Sequence, residues 1–271
     1  MDVALAFNQD YSNPTGFVSA GTAYNTTGFF SYKTMQYAYL KQSWESFSGS
    51  LLLMNNGFQE FDTNSDADGV SNLQTLGTHL NYKKGSFGAA FNGFIQTGKR
   101  QGEVDVKGAH LLGLDLTYKA SPKVSLGAGI EIISGNDGDA GETGAFFPLY
   151  GTNHKFNGFM DYFYVGNHAN SIGLVDIHVS ANFKLSEASS LMVKALNFSG
   201  EQDLPSGENA LGTEIDIVFK RKFKGYALVA GYSQMFASDG MYELKGITED
   251  AAASGQNWAW AMLVIKPKFI N

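Results

Sequence analysis

Apolar and polar residues alternate with period two along most of this chain, the pattern of strands that bury or expose one face only. In "KVSLGAGIEI", Val124, Leu126, Ala128, Ile130 and Ile132 share one face, and Ser125, Gly127, Gly129 and Glu131 share the other. "GLVDIHVSANFKL" sets Val175, Ile177, Val179, Ala181 and Phe183 against Asp176, His178, Ser180, Asn182 and Lys184, and "GTEIDIVFK" sets Ile215, Ile217 and Phe219 against Glu214, Asp216 and Lys220. "TLGTHLNYK" and "LLGLDLTYK" repeat the device, while "GSLLLMNNG" and "GYALVAGYSQMF" are ambiguous in face.

The connections between these segments alternate in length. Short turns are read at Glu45 to Gly49, Lys83 to Ser86, Ala120 to Lys123, Leu185 to Ser189 and Lys222 to Gly225. Between them come long polar connections: Asp10 to Ser31, Glu60 to Asn72, Gly98 to Asp105, Gly135 to Ser171, Glu201 to Ala210 and Ala237 to Gln256. Regular alternation puts every tight turn at one end and every long link at the other. That wiring predicts an all-β, up-and-down antiparallel transmembrane β-barrel of about twelve strands, each roughly 8 to 14 residues. The soluble alternative, a β-sandwich, would carry shorter strands and less regular loops.

Composition narrows the class. The 271 residues include 32 Gly, 21 Phe and 13 Tyr but 5 Pro and no Cys, which suits strands and turns and excludes disulfides and thiol chemistry. No apolar run approaches the roughly 18 residues of a membrane helix. The formal charge of -7 argues against a nucleic-acid partner. Met1 is followed by the strand-like "DVALAFNQ", so no signal peptide is read here, and an outer-membrane location implies one removed or truncated.

One connection stands apart. "FFPLYGTNHKFNGFMDYFYVG", within Gly135 to Ser171, is crowded with Phe and Tyr, whereas the other long links are rich in Gly, Asp and Asn. Turn parity requires this whole stretch to be a single link on the long side. So aromatic a loop does not rest in water, and it is expected to fold inward as a constriction, with Tyr150, His154, Lys155 and Asp161 as its polar groups; packing on the rim without solute contact is the alternative. Residues 1–271 are accordingly read as one barrel domain.

"LYGTNHKFNGFMDYF", Leu149 to Phe163, followed by "GLVDIHVSANFKL", resembles a motif of the alginate-export family of outer-membrane barrels in its Bacteroidetes form; "YKTMQYAYLKQSW" and "LLLMNNGFQ" resemble further segments of it. The resemblance implies a porin-like conduit for a polyanionic polysaccharide. It also implies that the chain is the C-terminal portion of a larger barrel that begins with a signal peptide. A polyanion path calls for arginines, and only Arg100 and Arg221 are present.

If the apolar face meets lipid, the polar face lines the passage. The inward candidates are Glu131, Asp176, His178, Lys184, Glu214, Asp216, Lys220 and Lys266, with lysines gathered toward the short turns and acids in the long links. Mixed charge of this kind tunes passive passage of hydrophilic or anionic saccharide solutes across a lipid or lipopolysaccharide membrane. "DTNSDADG" spaces Asn64, Asp66 and Asp68 ahead of Gly69 like the start of a calcium loop, although its twelfth position is Thr75 rather than Glu, so structural Ca2+ is the one cofactor weighed. "DIHVS" places His178 and Ser180 two apart, which leaves a phospholipase-like barrel hydrolase as an alternative, and an adhesion barrel with acidic loops as another. The expected protein is a channel and not an enzyme. Solute, transport direction and oligomeric state stay open.

Overall fold

A computed structural model describes residues 1–7, 17–18, 25–26, 32–64, 66–136, 141–151, 156–163, 171–248 and 256–266. In chain order its strands are β1 (Asp2–Phe7), β2 (Phe17–Val18), β3 (Asn25–Thr26), β4 (Thr34–Ser43), β5 (Phe47–Phe61), β6 (Ala67–Lys84), β7 (Phe87–Arg100), β8 (Val104–Ser121) and β9 (Val124–Ile133). They continue with β10 (Glu142–Thr143), β11 (Leu174–Lys184), β12 (Ser189–Ser199), β13 (Ala210–Phe223), β14 (Tyr226–Ala237) and β15 (Gln256–Ile265), and one helix, α1 (Asp239–Lys245), precedes β15. β2 and β3 form a separate two-stranded pair.

The main sheet runs β1-β4-β5-β6-β7-β8-β9-β11-β12-β13-β14-β15, each neighbour antiparallel, so the meander and its turn parity are as expected. β10 joins only as a parallel bridge, Glu142 opposite Asp105, and does not cross the sheet. Among the described residues β1 and β15 do not pair with each other, so the sheet is open.

Two expected long links are hairpins instead. The Asp62 carboxylate accepts the backbone N–H groups of Asn64 (2.9 Å) and Asp66 (2.8 Å), which closes a tight turn and lets Gln59 pair with Val70 and Phe61 with Ala67. Those bonds also hold the Asp62 carboxyl below its usual range. Likewise Gly102 (φ 82) and Glu103 (φ 60) turn the chain within Gln101–Glu103, where both Glu60 carboxylate oxygens accept the Gly102 N–H. β6 and β8 consequently reach 18 residues each, longer than expected.

Registers assign the faces. One continuous row runs Phe91, Leu114, Ile130, Ile177 across β7, β8, β9 and β11, all on the face away from the Gly135 to Ser171 connection. That outer face exposes large apolar side chains, including Leu53, Leu76, Ile95, Leu114 and Val179. At its short-turn edge the row becomes aromatic: Phe47 opposite Tyr82, Phe87 opposite Tyr118 and Phe223 opposite Tyr226, the last pair stacked at 4.7 Å. At the other edge it becomes amide: Asn55 donates to Gln36 (2.7 Å) and Asn72 (2.9 Å), and Gln74 donates to Asn55 (2.8 Å). An apolar band with an aromatic girdle below and self-satisfied amides above has the layering of a lipid-facing wall.

The inner face carries the buried cluster. Phe58, Leu73, Ile133, Leu174, Leu196, Phe198 and Met235 come from the strands, Phe146, Phe147 and Phe163 from the connection, and Met241 from α1. The helix ends at Gly246 (φ 62), whose left-handed backbone lets its N–H bond back to Glu243.

Candidate functional site

The described parts of the connection between β9 and β11, residues 141–151 and 156–163, lie across the inner face and are fixed there at several points. Phe147 and Gln96 bond reciprocally: the Phe147 N–H donates to Gln96 Oε1 (2.9 Å) and Gln96 Nε2 donates to the Phe147 carbonyl (2.8 Å). The Tyr150 hydroxyl donates to Asn56 of β5, and burial pushes that phenol up to about 12. Asn157 Nδ2 donates to Glu131 of β9 (2.9 Å) and to Asp176 of β11 (3.2 Å). Glu214 of β13 accepts the N–H groups of Phe159 (2.7 Å) and Met160 (3.0 Å) through one carboxylate oxygen. Finally Lys245 of α1 donates to the Tyr162 carbonyl (2.8 Å) and lies 5.5 Å from the Phe163 ring, which meets Phe198 at 4.8 Å.

Local backbone makes these contacts possible. Tyr150, Asn157 and Asp161 have φ of 60, 58 and 56, and Gly158 has φ 89, so the link bends repeatedly through left-handed residues. Gly158 is needed as glycine: a Cβ there would stand 2.5 Å from Glu214 Oε2. Replacing Glu214 by alanine is expected to remove the acceptor for residues 159 and 160 and lower the exchange protection of those two amides by about tenfold, whereas glutamine, which keeps a carbonyl oxygen, preserves it. Hydrogen-exchange mass spectrometry over residues 156–163 reads the difference; equal protection in both variants would discard this latch.

Beside the connection lies a charged group on the inner register. His178 is held from both sides, by Asp115 at Nε2 (2.9 Å) and by Asp176 at Nδ1 (3.2 Å). Asp216 accepts from Ser233 (2.5 Å) and shares its face of β13 with Glu214; both are almost fully buried. With both ring nitrogens of His178 taken, none is left to activate Ser180, so the geometry of the hydrolase alternative is absent. Lys184 and Lys220 lie on the inner register at the short-turn end, Lys184 beside Glu187 (2.6 Å), and Lys266 follows β15 by one residue. His154 and Lys155 fall outside the described residues.

The segment weighed as a calcium loop is a tight turn that runs into a strand. Asn64 and Asp66 are exposed in the Asp62 turn, and Asp68 already belongs to β6. Among the described residues no group of three or more acidic or imidazole side chains is arranged to hold a metal. The candidates Tyr150, Glu131, Asp176 and Glu214 fix the connection together with Gln96, Asn56, Asn157 and Lys245, which sequence reasoning misses. Nothing in their local pattern distinguishes them from ordinary strand or loop polar residues.

Between connection and wall is a cavity of about 290 Å³, walled by Phe94, Leu111, Ile133 and Phe146 with Thr75, Asn92, Gln96, Glu131 and Asn157 as polar members. The overall arrangement has solved counterparts. Acinetobacter baumannii OccAB4 aligns with TM-score 0.53 and 15% identity over 85% of this chain and 54% of that one. Pseudomonas aeruginosa OccK10 (OpdN) gives 0.55 and 16% over 97% and 65%, and OccK5 (OpdH) gives 0.52 and 11% over 97% and 63%. The fold is the antiparallel meander of outer-membrane β-barrels, with its sheet open among the described residues. At these identities the likeness concerns the fold alone, and the chain spans somewhat over half the length of those structures. No family model matches the sequence, and no curated protein does, so the alginate-export resemblance rests on the quoted motifs only.

Proposed function

We propose that this chain forms the wall and constriction of a passive channel for small hydrophilic solutes in a bacterial outer membrane. The observation that carries the reading is the pairing of two features: an outer face whose apolar band is bounded by an aromatic girdle, and an inner face narrowed by a connection latched from β5 to β13. Such a wall performs no chemistry; it excludes by width and weights by charge. Strand edges cannot stand bare in hydrocarbon, so in the membrane β1 and β15 each hydrogen-bond another strand, either each other or strands beyond the described sheet.

Acidic side chains outnumber basic ones near the connection, an excess that supports a preference for cations. Asp115, Glu131, Asp176, Glu214 and Asp216 face the inner side there, against His178 and Lys194. Neither arginine strengthens a polyanion path: Arg221 sits on the outer register 5.3 Å from the Phe223 ring, and Arg100 is buried 5.0 Å from the Phe147 ring. An alginate conduit is therefore the less supported form of the channel reading.

Reconstitution of the full chain in planar bilayers tests both levels. Conductance is expected, with potassium favoured over chloride by about twofold or more, an excess that shrinks as salt rises and as Glu131→Gln and Asp176→Asn are combined. Absence of any conductance would defeat the channel; chloride preference would defeat the charge assignment alone.

A further inference from the structure

We infer that the cavity between the connection and the wall is a binding site for a small amphipathic cation, a primary amine carried on a short aromatic or aliphatic body. The inference deepens the channel reading, on which its role in permeation rests, and it names a class of solute.

Three observations converge. The walls are too apolar for a passage that only wets: Leu52, Met54, Phe94, Leu111 and Phe146 face a space of about 290 Å³, enough for a body of ring size, though at the small end of ligand pockets. The polar side chains on those walls are mostly committed. Gln96 is spent on Phe147 and Thr75, and Asn92 Oδ1 is in contact with His79 at 2.6 Å. Glu131 is the exception.

Its Oε1 accepts one bond, from Asn157, while a carboxylate offers about four acceptor sites. Among the described residues no lysine or arginine pairs with it; the nearest cationic group, His178, is held by Asp115 and Asp176, which add their own negative charge beside Glu131. Arg100 stacks on Phe147 and is not part of the cavity wall. A carboxyl group with no lysine or arginine partner among the described residues, at the edge of an aromatic recess, suits one ligand type: apolar body against Phe94 and Phe146, ammonium on Glu131, with further attraction from ring faces. An anion of the same shape would meet Glu131 with Asp115 and Asp176 behind it.

The test uses isosteres that differ only in charge. Full-length protein in detergent is titrated calorimetrically with 2-phenylethylammonium, phenylacetate and 2-phenylethanol. The ammonium is expected to bind about tenfold more tightly than either of the others, the worth of one charge-assisted contact. Glu131→Gln is expected to reduce its affinity to that of the alcohol while leaving the far-ultraviolet circular dichroism unchanged. Phenylacetate binding as tightly as the ammonium, wild-type protein binding neither, or an unchanged affinity in the folded Glu131→Gln variant would each overturn the site. Bilayer conductance is measured separately. A conducting protein that ignores the ammonium loses the site and keeps the channel, whereas binding without conductance keeps the site and loses the channel.

Discussion

Replacing residues 146–163 by a short glycine-serine linker is expected to raise single-channel conductance by about twofold or more and to relax ion selectivity. The segment brings Phe146, Phe147 and Phe163 onto the inner face, together with the backbone that Gln96 and Glu214 hold and the Asn157 side chain that donates to Glu131 and Asp176. Removing it takes away that bulk and uncovers the strand carboxylates to wider water, where their field is screened over about 8 Å at physiological salt. Single-channel recording in planar bilayers gives the comparison directly. If the shortened protein conducts no better than the parent, the connection does not govern the passage and the constriction belongs elsewhere.

The second large effect separates the faces of one strand. Leu114 and Thr117 both lie in β8 and are both exposed, but Leu114 is on the outer register with Phe91 and Ile130, and Thr117 is on the inner register with Gly88 and Gly127. An arginine at Leu114, near the middle of the apolar band, is expected to destabilise the membrane-folded protein by about 2 to 4 kcal/mol. The same arginine at Thr117 faces water beside Asp115 and Lys119, and is expected to change stability by less than about 1 kcal/mol while shifting selectivity toward anions. Equilibrium unfolding by denaturant in lipid vesicles measures both. Reversed sensitivities would turn the sheet inside out and end the channel reading.

Much of this architecture is visible in the order of residues because period-two alternation is a local property. "KVSLGAGIEI" and "GLVDIHVSANFKL" announce their two faces without reference to any partner, and the registers pair Asp176 with Glu131 and His178 with Gly129 accordingly. Turn parity is likewise local, which is why the long aromatic link is recognisable as a single excursion.

What stayed hidden depends on contacts distant in sequence, or on a turn closing sooner than its composition suggests. The Asp62 hairpin reads as an acidic loop until its carboxylate is seen taking two backbone N–H groups. The helix at Asp239–Lys245 carries an acidic first turn, a basic last turn and a following glycine, signals present in "SDGMYELKG" but slight over seven residues. The girdle of Phe47, Tyr82, Phe87, Tyr118, Phe223 and Tyr226 flanks the short turns and was there to be read, although periodicity alone does not single it out. The glutamate that grips Phe159 and Met160 lies 54 residues or more along the chain from them, beyond the reach of any local pattern.

The anchor points of the aromatic link have a consequence for assembly. Asn56 enters early in the chain and Glu214 late, and the segment between them touches both. It works as a cross-brace inside an otherwise pliant curtain, so it cannot settle until nearly all strands have been threaded. The last part of this protein to become native should therefore be a stretch near its sequence midpoint, and the rim should stiffen only when that stretch seats.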